Sequence, residues 1–512
     1  ALRRKQKRVS FGALRYAGSK THCISVKDVF DLSSVFLCKL KSSGCPADSP
    51  PLPVTNTLYY MSFHKTLLFI SLLPGLSGLS AQDVETTQAP DTLRLRLDEA
   101  IQIALTENPT VRVADYDVEI KKEARREARA GLLPEAALSA SYSRTLKKQT
   151  MVMEFGGQST KIQMGTDNSY SAGLSINLPL FAPALYRSIR LTEADIELAV
   201  EKARASRIGM VNEVTKAFYQ LLLAQDSYRV LQEAYAQAEA NLRIVNERFT
   251  LGSVSEYDRI RADVQVRSLK PGLVSAGNGV ALAGLQLRVL LGVAGEPIIA
   301  ARGSLADYES AMHPDQPIAE TLENNSDLRQ LDLNLELLSH NERLTKANFL
   351  PTIGASYSYS YSSMNNDFRI RDYTWNPYSL VALSVNIPLF KASNYPKLRK
   401  VRLQMQQLRE TRLNAERQLG MLVQNARDKM AAAYEQQASN REGVAQAEKG
   451  RLIARKRYEV GMGTILELND AEVALTQAEL AYRQAIYDYL TARADLEKTL
   501  GNNDLEHTIN QK

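Results

Sequence analysis

The chain repeats itself. Residues 170–181 read YSAGLSINLPLF and residues 378–390 read YSLVALSVNIPLF, so that Asn177, Pro179 and Phe181 fall on Asn386, Pro388 and Phe390 at a shift of 209. The same shift carries Arg248–Gly252 (RFTLG) onto Arg457–Gly461 (RYEVG), and Leu291-Gly292 onto Leu500-Gly501. Three separated matches at one offset mark a tandem duplication of one long unit, and the contents of that unit constrain the fold.

A leading segment stands outside the unit. Residues 61–81 (MSFHKTLLFISLLPGLSGLSA) have the order of a secretory signal: Lys65, an apolar run from Leu67 to Leu73, and a small-residue site ending at Ala81. A membrane anchor is the weaker reading, because the run is short and Pro74 and Gly75 interrupt it. Residues 1–60 are then expected to be a non-native upstream extension. Residues 1–81 hold 11 basic and 3 acidic residues, which leaves 52 and 54 in the remainder, so the overall +6 does not point to nucleic acid. All three cysteines (Cys23, Cys38 and Cys45) also lie in that segment, so the exported part has neither disulfides nor thiol chemistry.

The first copy is assigned to residues 82–300 and the second to 301–512. Each reads helix, strand, strand, long helix, return helix. In the first, strands are expected at 135–148 and 168–181 and a helical hairpin at 183–292. In the second, the strands are expected at 351–363 and 377–390 and the hairpin at 393–501. Leu174, Ile176, Leu178 and Leu180 alternate with Ser175, Asn177 and Pro179, and Tyr357, Tyr359 and Tyr361 alternate with Ser356, Ser358 and Ser360. Alternate side chains point to opposite faces of a strand, so each strand has one apolar side and one side of small polar groups. A soluble half-buried sheet alternates too. Ser and Asn in place of Lys and Glu, with Tyr at the ends of the apolar side, favour a water-filled lumen inside and lipid outside. No run of about 18 apolar residues occurs, so an exported chain in a membrane has to use a closed β-barrel. Four strands cannot close one around a pore, which implies an oligomer.

The long helices are the other half of the unit. Arg187 to Phe249 contains no proline and would span roughly 95 Å at 1.5 Å per residue. Leu221, Ala224, Tyr228, Leu231, Tyr235, Ala238, Leu242, Val245 and Phe249 keep 3–4 spacing, a coiled-coil seam. The second copy has polar Gln437, Asn440 and Arg451 in that register. Pro271-Gly272 is expected to kink the first return helix.

In their order and duplication, these motifs resemble the TolC-like outer membrane efflux protein family, from about Leu97 to Gly501. The residues that carry the likeness are Leu133-Pro134 and Leu350-Pro351 before strands, Leu178–Phe181 and Ile387–Phe390 after them, and the turns at Gly252 and Gly461. The resemblance implies a mainly α protein with a β-barrel portion. Three protomers would give four antiparallel strands each to a twelve-stranded transmembrane barrel, above a periplasmic helical tunnel. It implies a homotrimer in outer-membrane lipid, working with a periplasmic adaptor and an inner-membrane transporter, and without enzymatic activity. It also places a gate at the helical tips, where Glu467 and Asp470 would form acidic rings. Rings of carboxylates favour cations, although acids at a helix N-terminus are welcome for local reasons too. The closed gate would be held through Asp258 and Tyr458. The basic partner expected two residues after the second turn is replaced by Gly463, with Arg259 and Arg261 as nearby substitutes.

No catalytic or cofactor motif appears. His313, His340 and His507 have no ligand spacing, and no phosphate-cradling or dinucleotide-binding glycine pattern occurs, so no metal and no cofactor are expected. A periplasmic coiled-coil scaffold or adaptor without a pore is the alternative to an exit duct. The two would separate by fractionation with the outer membrane.

Overall fold

The computed structural model describes residues 92–501 except 156, 313–320, 370 and 372. The expected signal and upstream extension, as well as His313 and His507, lie outside the described residues. The elements in order are β1 (Thr92–Leu95), α1 (Leu97–Glu107), α2 (Pro109–Ala130), β2 (Glu135–Arg144), β3 (Gln149–Phe155), β4 (Gln158–Met164), β5 (Asn168–Phe181), α3 (Pro183–Thr250), α4 (Glu256–Leu291), β6 (Ile298–Ala301), α5 (Ser326–Ala347), β7 (Thr352–Asn365), β8 (Asn376–Asn386), α6 (Asn394–Glu459) and α7 (Ile465–Leu500). A 3-10 segment, Leu305–Ala311, follows β6.

Four strands form one antiparallel sheet in the order β2-β5-β7-β8. The register decides what its two sides are. Leu138 pairs with Leu174, which pairs with Tyr359, and Ile176 pairs with Tyr357, which pairs with Val381. One residue along, Ser141 pairs with Ser171 and then Ser362, and Asn177 with Ser356. The apolar sides of all four strands therefore coincide, as do the Ser/Asn sides. A slip of one residue in any pair would break both. Among the described residues nothing covers most of the apolar side: Leu138 is 84% exposed and Val381 76%.

β8 stops at Asn386, short of the expected residue 390. Asn386 pairs with Thr352, the first residue of β7, so residues beyond it have no strand to pair with. β5 continues to Phe181 because β7 still faces it, and Pro179 is taken up by an irregularity in register between Pro179 and Phe181. The segment between β2 and β5 holds a further hairpin, β3 with β4, turning at Gly157 with φ +81°. Alternating Thr, Val and Met are short-range strand formers there, but too few to stand out in the sequence.

The helices pair as two hairpins, α3 with α4 and α6 with α7. Every residue of the expected α3 seam is at least half-buried; Leu221 and Val245 are fully so. α4 runs unbroken through Pro271. The main core sits at mid-height, where Val214, Phe218, Leu221 and Leu222 of α3 meet Leu287 and Leu291 of α4 and Ile486, Tyr489 and Leu490 of α7. A belt closes over it. β1 and β6 form a parallel pair that the sequence did not reveal. The 3-10 segment is strapped to three helices by two carboxylates. Asp226 of α3, fully buried, accepts from Ser304 Oγ at 2.8 Å and the Leu305 N–H at 2.9 Å. Glu309 accepts from Gln437 (2.9 Å) and Arg441 (2.8 Å) of α6 and from Tyr482 (2.7 Å) of α7.

Each hairpin is also locked at its belt end. Gly292 and Gly501 end α4 and α7 in the left-handed conformation, φ +67° and +71°. Each lies against the start of a short helix whose N-cap asparagine reaches back. Asn108 Nδ2 donates to the Leu290 carbonyl at 2.7 Å, and Asn325 Nδ2 to the Thr499 carbonyl at 2.7 Å. The same asparagines cap α2 and α5 through Thr110 N–H and Leu328 N–H.

Candidate functional site at the hairpin tips

The tips are built from the repeated Arg-aromatic-x-x-Gly sequence. In the first, Gly252 N–H bonds the Phe249 carbonyl and Ser253 N–H the Arg248 carbonyl, both at 2.9 Å. In the second, Gly461 N–H bonds Tyr458 (3.2 Å) and Met462 N–H bonds Arg457 (2.8 Å). Both are Schellman ends, and they require positive φ at the glycine, +72° and +77°. A return helix then starts on a capping Ser or Thr: Ser255 accepts from Asp258 N–H and Thr464 from Glu467 N–H, each at 3.2 Å.

Below the turns lies a small second core of Val245, Ala262, Tyr458, Ile465 and Leu468, which joins the two hairpins. Tyr458 is its polar member. It is 9% exposed, and its hydroxyl has no hydrogen-bond partner. Burial pushes the phenol up from its ordinary value, Arg248 pulls it back, and Asp258 adds to the rise.

Arg248 makes the cross-hairpin contact. Its guanidinium donates to the Tyr458 and Glu459 carbonyls, each at 3.2 Å, and lies 5.2 Å from the Tyr458 ring centroid. It adds a second bond to the Tyr458 carbonyl, which already takes Gly461 N–H, and partners the Glu459 carbonyl at the end of α6. Arg259 and Arg261, expected as substitutes, are engaged elsewhere. Arg259 stacks 4.9 Å over Phe249 and pairs with Glu256 at 3.4 Å, while Arg261 donates to Tyr257 Oη at 2.8 Å. Gly463, where a basic residue was expected, sits in a tight place. A Cβ there would lie 3.1 Å from Arg457 Cβ and 3.2 Å from the Tyr458 nitrogen.

The structure separates the expected gate residues by role. Asp258 closes a capping box with Ser255, its carboxylate 2.8 Å from Ser255 Oγ. Glu467 sits 3.8 Å from Arg457. Asp470 is exposed and has no hydrogen bond or ion pair among the described residues. Glu467 and Asp470 are three apart on α7 and share a face. Arg248 belongs to the repeated motif, but nothing in the sequence showed that it crosses to the other hairpin. Among the described residues no group of His, Cys, Asp or Glu is placed to hold a metal.

A sheet with lipid-like chemistry on one side, continued into two long hairpins with a polar tip, defines a membrane duct component. The comparisons agree. The sequence profile described as "Outer membrane efflux protein" matches residues 100–293 and 318–502. The probable efflux pump outer membrane protein TtgC of Pseudomonas putida is 26% identical over 424 residues, 80% of this chain and 84% of its own. The alkaline protease secretion protein AprF of Pseudomonas aeruginosa is 25% identical over 423 residues, 79% and 84% of the two chains. The crystal structure of the Campylobacter jejuni CmeC outer membrane channel superposes with a TM-score of 0.63 at 17% identity, covering 86% of this chain and 97% of that one.

The chain belongs to the outer membrane efflux protein family. It is an outer-membrane exit duct of the kind that serves efflux and secretion systems, with a periplasmic tunnel. The pore-less scaffold reading is set aside.

Proposed function

We propose that three copies of this chain close a twelve-stranded barrel and that the hairpin tips gate the tunnel beneath it. The sheet carries this reading. Its apolar sides coincide across four strands and stand largely uncovered among the described residues, its other side is Ser and Asn, and β2 and β8 are open edges. Open edges on an apolar sheet demand pairing, and copies of the chain supply it. α4 supports the oligomer. It is the one described helix long and apolar enough by composition to cross a membrane, and its Val274, Leu282, Leu285 and Val289 are exposed. A neighbouring protomer would cover them. The duct conducts passively and works with a periplasmic adaptor and an inner-membrane transporter.

At the tip, Arg248 takes the locking role left open by Gly463, and Glu467 and Asp470 form the acidic constriction. Purified protein in planar bilayers tests this. Glu467→Gln with Asp470→Asn is expected to lower cation preference; unchanged selectivity would sink the ring assignment. Cross-linked species larger than a trimer, or none, would sink the twelve-stranded barrel.

A further inference from the structure

The other end of the sheet carries charge that the duct reading does not use. On β2 the apolar side runs Ala136, Leu138, Ala140, Tyr142 and then Arg144. At about 3.4 Å per residue and a tilt near 40°, Arg144 stands roughly 20 Å beyond Ala136 along the barrel axis. It therefore follows directly on an aromatic level. Tyr142 packs on Tyr170 (centroids 4.7 Å apart), and Tyr170 on Tyr373 of the β7–β8 loop (5.4 Å). Phe368 of that loop lies under the Arg144 guanidinium, 5.2 Å from ring centroid to Cζ. The next residue is Arg369, and Arg371 follows.

All three arginines are exposed, and among the described residues none has a carboxylate within ion-pair distance. Among the described residues the local acids are otherwise occupied or apart. Asp167 pairs with Lys148 at 3.1 Å, Asp367 Oδ1 accepts the Arg369 N–H at 3.3 Å, and Glu154 lies on the β3 strand. Lys147 and Lys161 add two more cations at this end.

We propose that Arg144, Arg369 and Arg371 form a collar that binds the phosphate groups of anionic lipid headgroups at the barrel's outer rim. The proposal rests on the barrel reading. Aromatic side chains settle at the boundary between hydrocarbon and headgroups, and the guanidinium groups stand one step beyond, at headgroup depth. The planar guanidinium forks match phosphate oxygens bidentately, and the stacking of Arg144 on Phe368 holds one of them toward the lipid side.

The test uses full-length protein reconstituted in phosphatidylcholine vesicles containing spin-labelled phosphatidic acid or phosphatidylcholine. Wild type is expected to favour phosphatidic acid about fivefold or more, as cations at an anionic surface do, and less so at high salt. Arg144→Gln with Arg369→Gln and Arg371→Gln is expected to bring the ratio near one, while the three lysine replacements keep most of it. Equal association of both lipids with wild type, or a preference that survives the triple glutamine variant, overturns the proposal. Displacement of the lipid by millimolar inorganic phosphate overturns it in favour of a free-phosphate site. Conductance in the same vesicles reports insertion. A chain that inserts but shows no preference sinks the collar alone, and a chain that does not insert sinks the barrel with it.

Discussion

The two hairpins are alike at one end and unlike at the other. At the belt, Gly292 meets Asn108 and Gly501 meets Asn325 in the same way, each glycine αL and each asparagine bonded to a helix-end carbonyl. At the tips, equivalent residues diverge. Arg248 reaches across to the second hairpin, while its counterpart Arg457 stays on its own, bonding the Met462 carbonyl at 3.3 Å. Asp258 closes its capping box, while its counterpart Glu467 turns toward Arg457. The long helices differ likewise. α3 buries 22 residues and α6 only 9 in helices of 68 and 66 residues. The belt is thus a shared anchor, and α3 is buried along more of its length than α6.

The largest expected effect tests the anchor. In Gly501→Ala the new Cβ would lie 2.1 Å from the Asn324 carbonyl oxygen, with φ at +71°. At Gly461 nothing lies within 4 Å, and φ is +77°. Gly461→Ala should cost about 1–2 kcal/mol from backbone strain alone. Gly501→Ala should cost clearly more and lower the yield of folded protein. Equal melting temperatures for the two would undo the anchor argument.

Next is the cross-hairpin lock. Arg248→Ala removes two charge-assisted bonds, each worth about 1.5–3 kcal/mol, and should raise conductance of the isolated protein tenfold or more. Arg457→Ala breaks no cross-hairpin contact and should leave conductance near wild type. Similar behaviour of both variants would show that the tips are not specialised.

A smaller difference is expected within the acidic pair. Glu467 shares its charge with Arg457, whereas Asp470 has no ion pair among the described residues. Asp470→Asn should therefore reduce cation selectivity more than Glu467→Gln, as reversal potentials in a salt gradient will show; the opposite ranking contradicts this geometry.

The smallest effect concerns acid. Glu472 of α7 accepts from Asn241 of α3 at 2.7 Å, and burial raises its carboxyl above the ordinary value, while Asn241, Arg451 and Arg455 pull it back. The folded protein therefore binds this proton more readily than the unfolded chain. The stabilisation is full below the ordinary carboxyl range and is lost as pH rises through the elevated value. Glu472→Gln should flatten that part of the pH–stability curve. Identical melting curves from pH 4 to 8 would contradict the assignment.

The parts legible in the sequence were those with a period. Alternation in β5 and β7, the 3–4 spacing of the α3 seam, and the glycine turns are local patterns that a single strand or helix writes into its own residues. The resemblance implied a belt from the short helices at 98–131 and 315–348 with the region between Gly292 and Asp315, but the contacts that strap it down were not legible. Asp226 and Ser304 are 78 residues apart, and Glu309 meets Tyr482 across 173, so each looks like an ordinary surface polar residue until the fold brings its partners. The tip was half legible. The acids and Tyr458 stood out by position, but Gly463 signified only a missing base until the structure showed how tightly a Cβ there would fit against Arg457.

The two copies meet at β5 and β7, in the middle of the sheet, so its free margins come from different copies: β2 from the first, β8 from the second. A neighbour that adds its β8 to this β2 makes a head-to-tail joint between unlike surfaces. Such a joint has a direction. It repeats around an axis until the ring shuts, and the number of subunits is then set by curvature. The duplication thus does more than double the strand count. By placing one copy-to-copy joint inside the chain, at β5 and β7, and leaving the other to β8 and β2, it lets selection adjust the two joints independently.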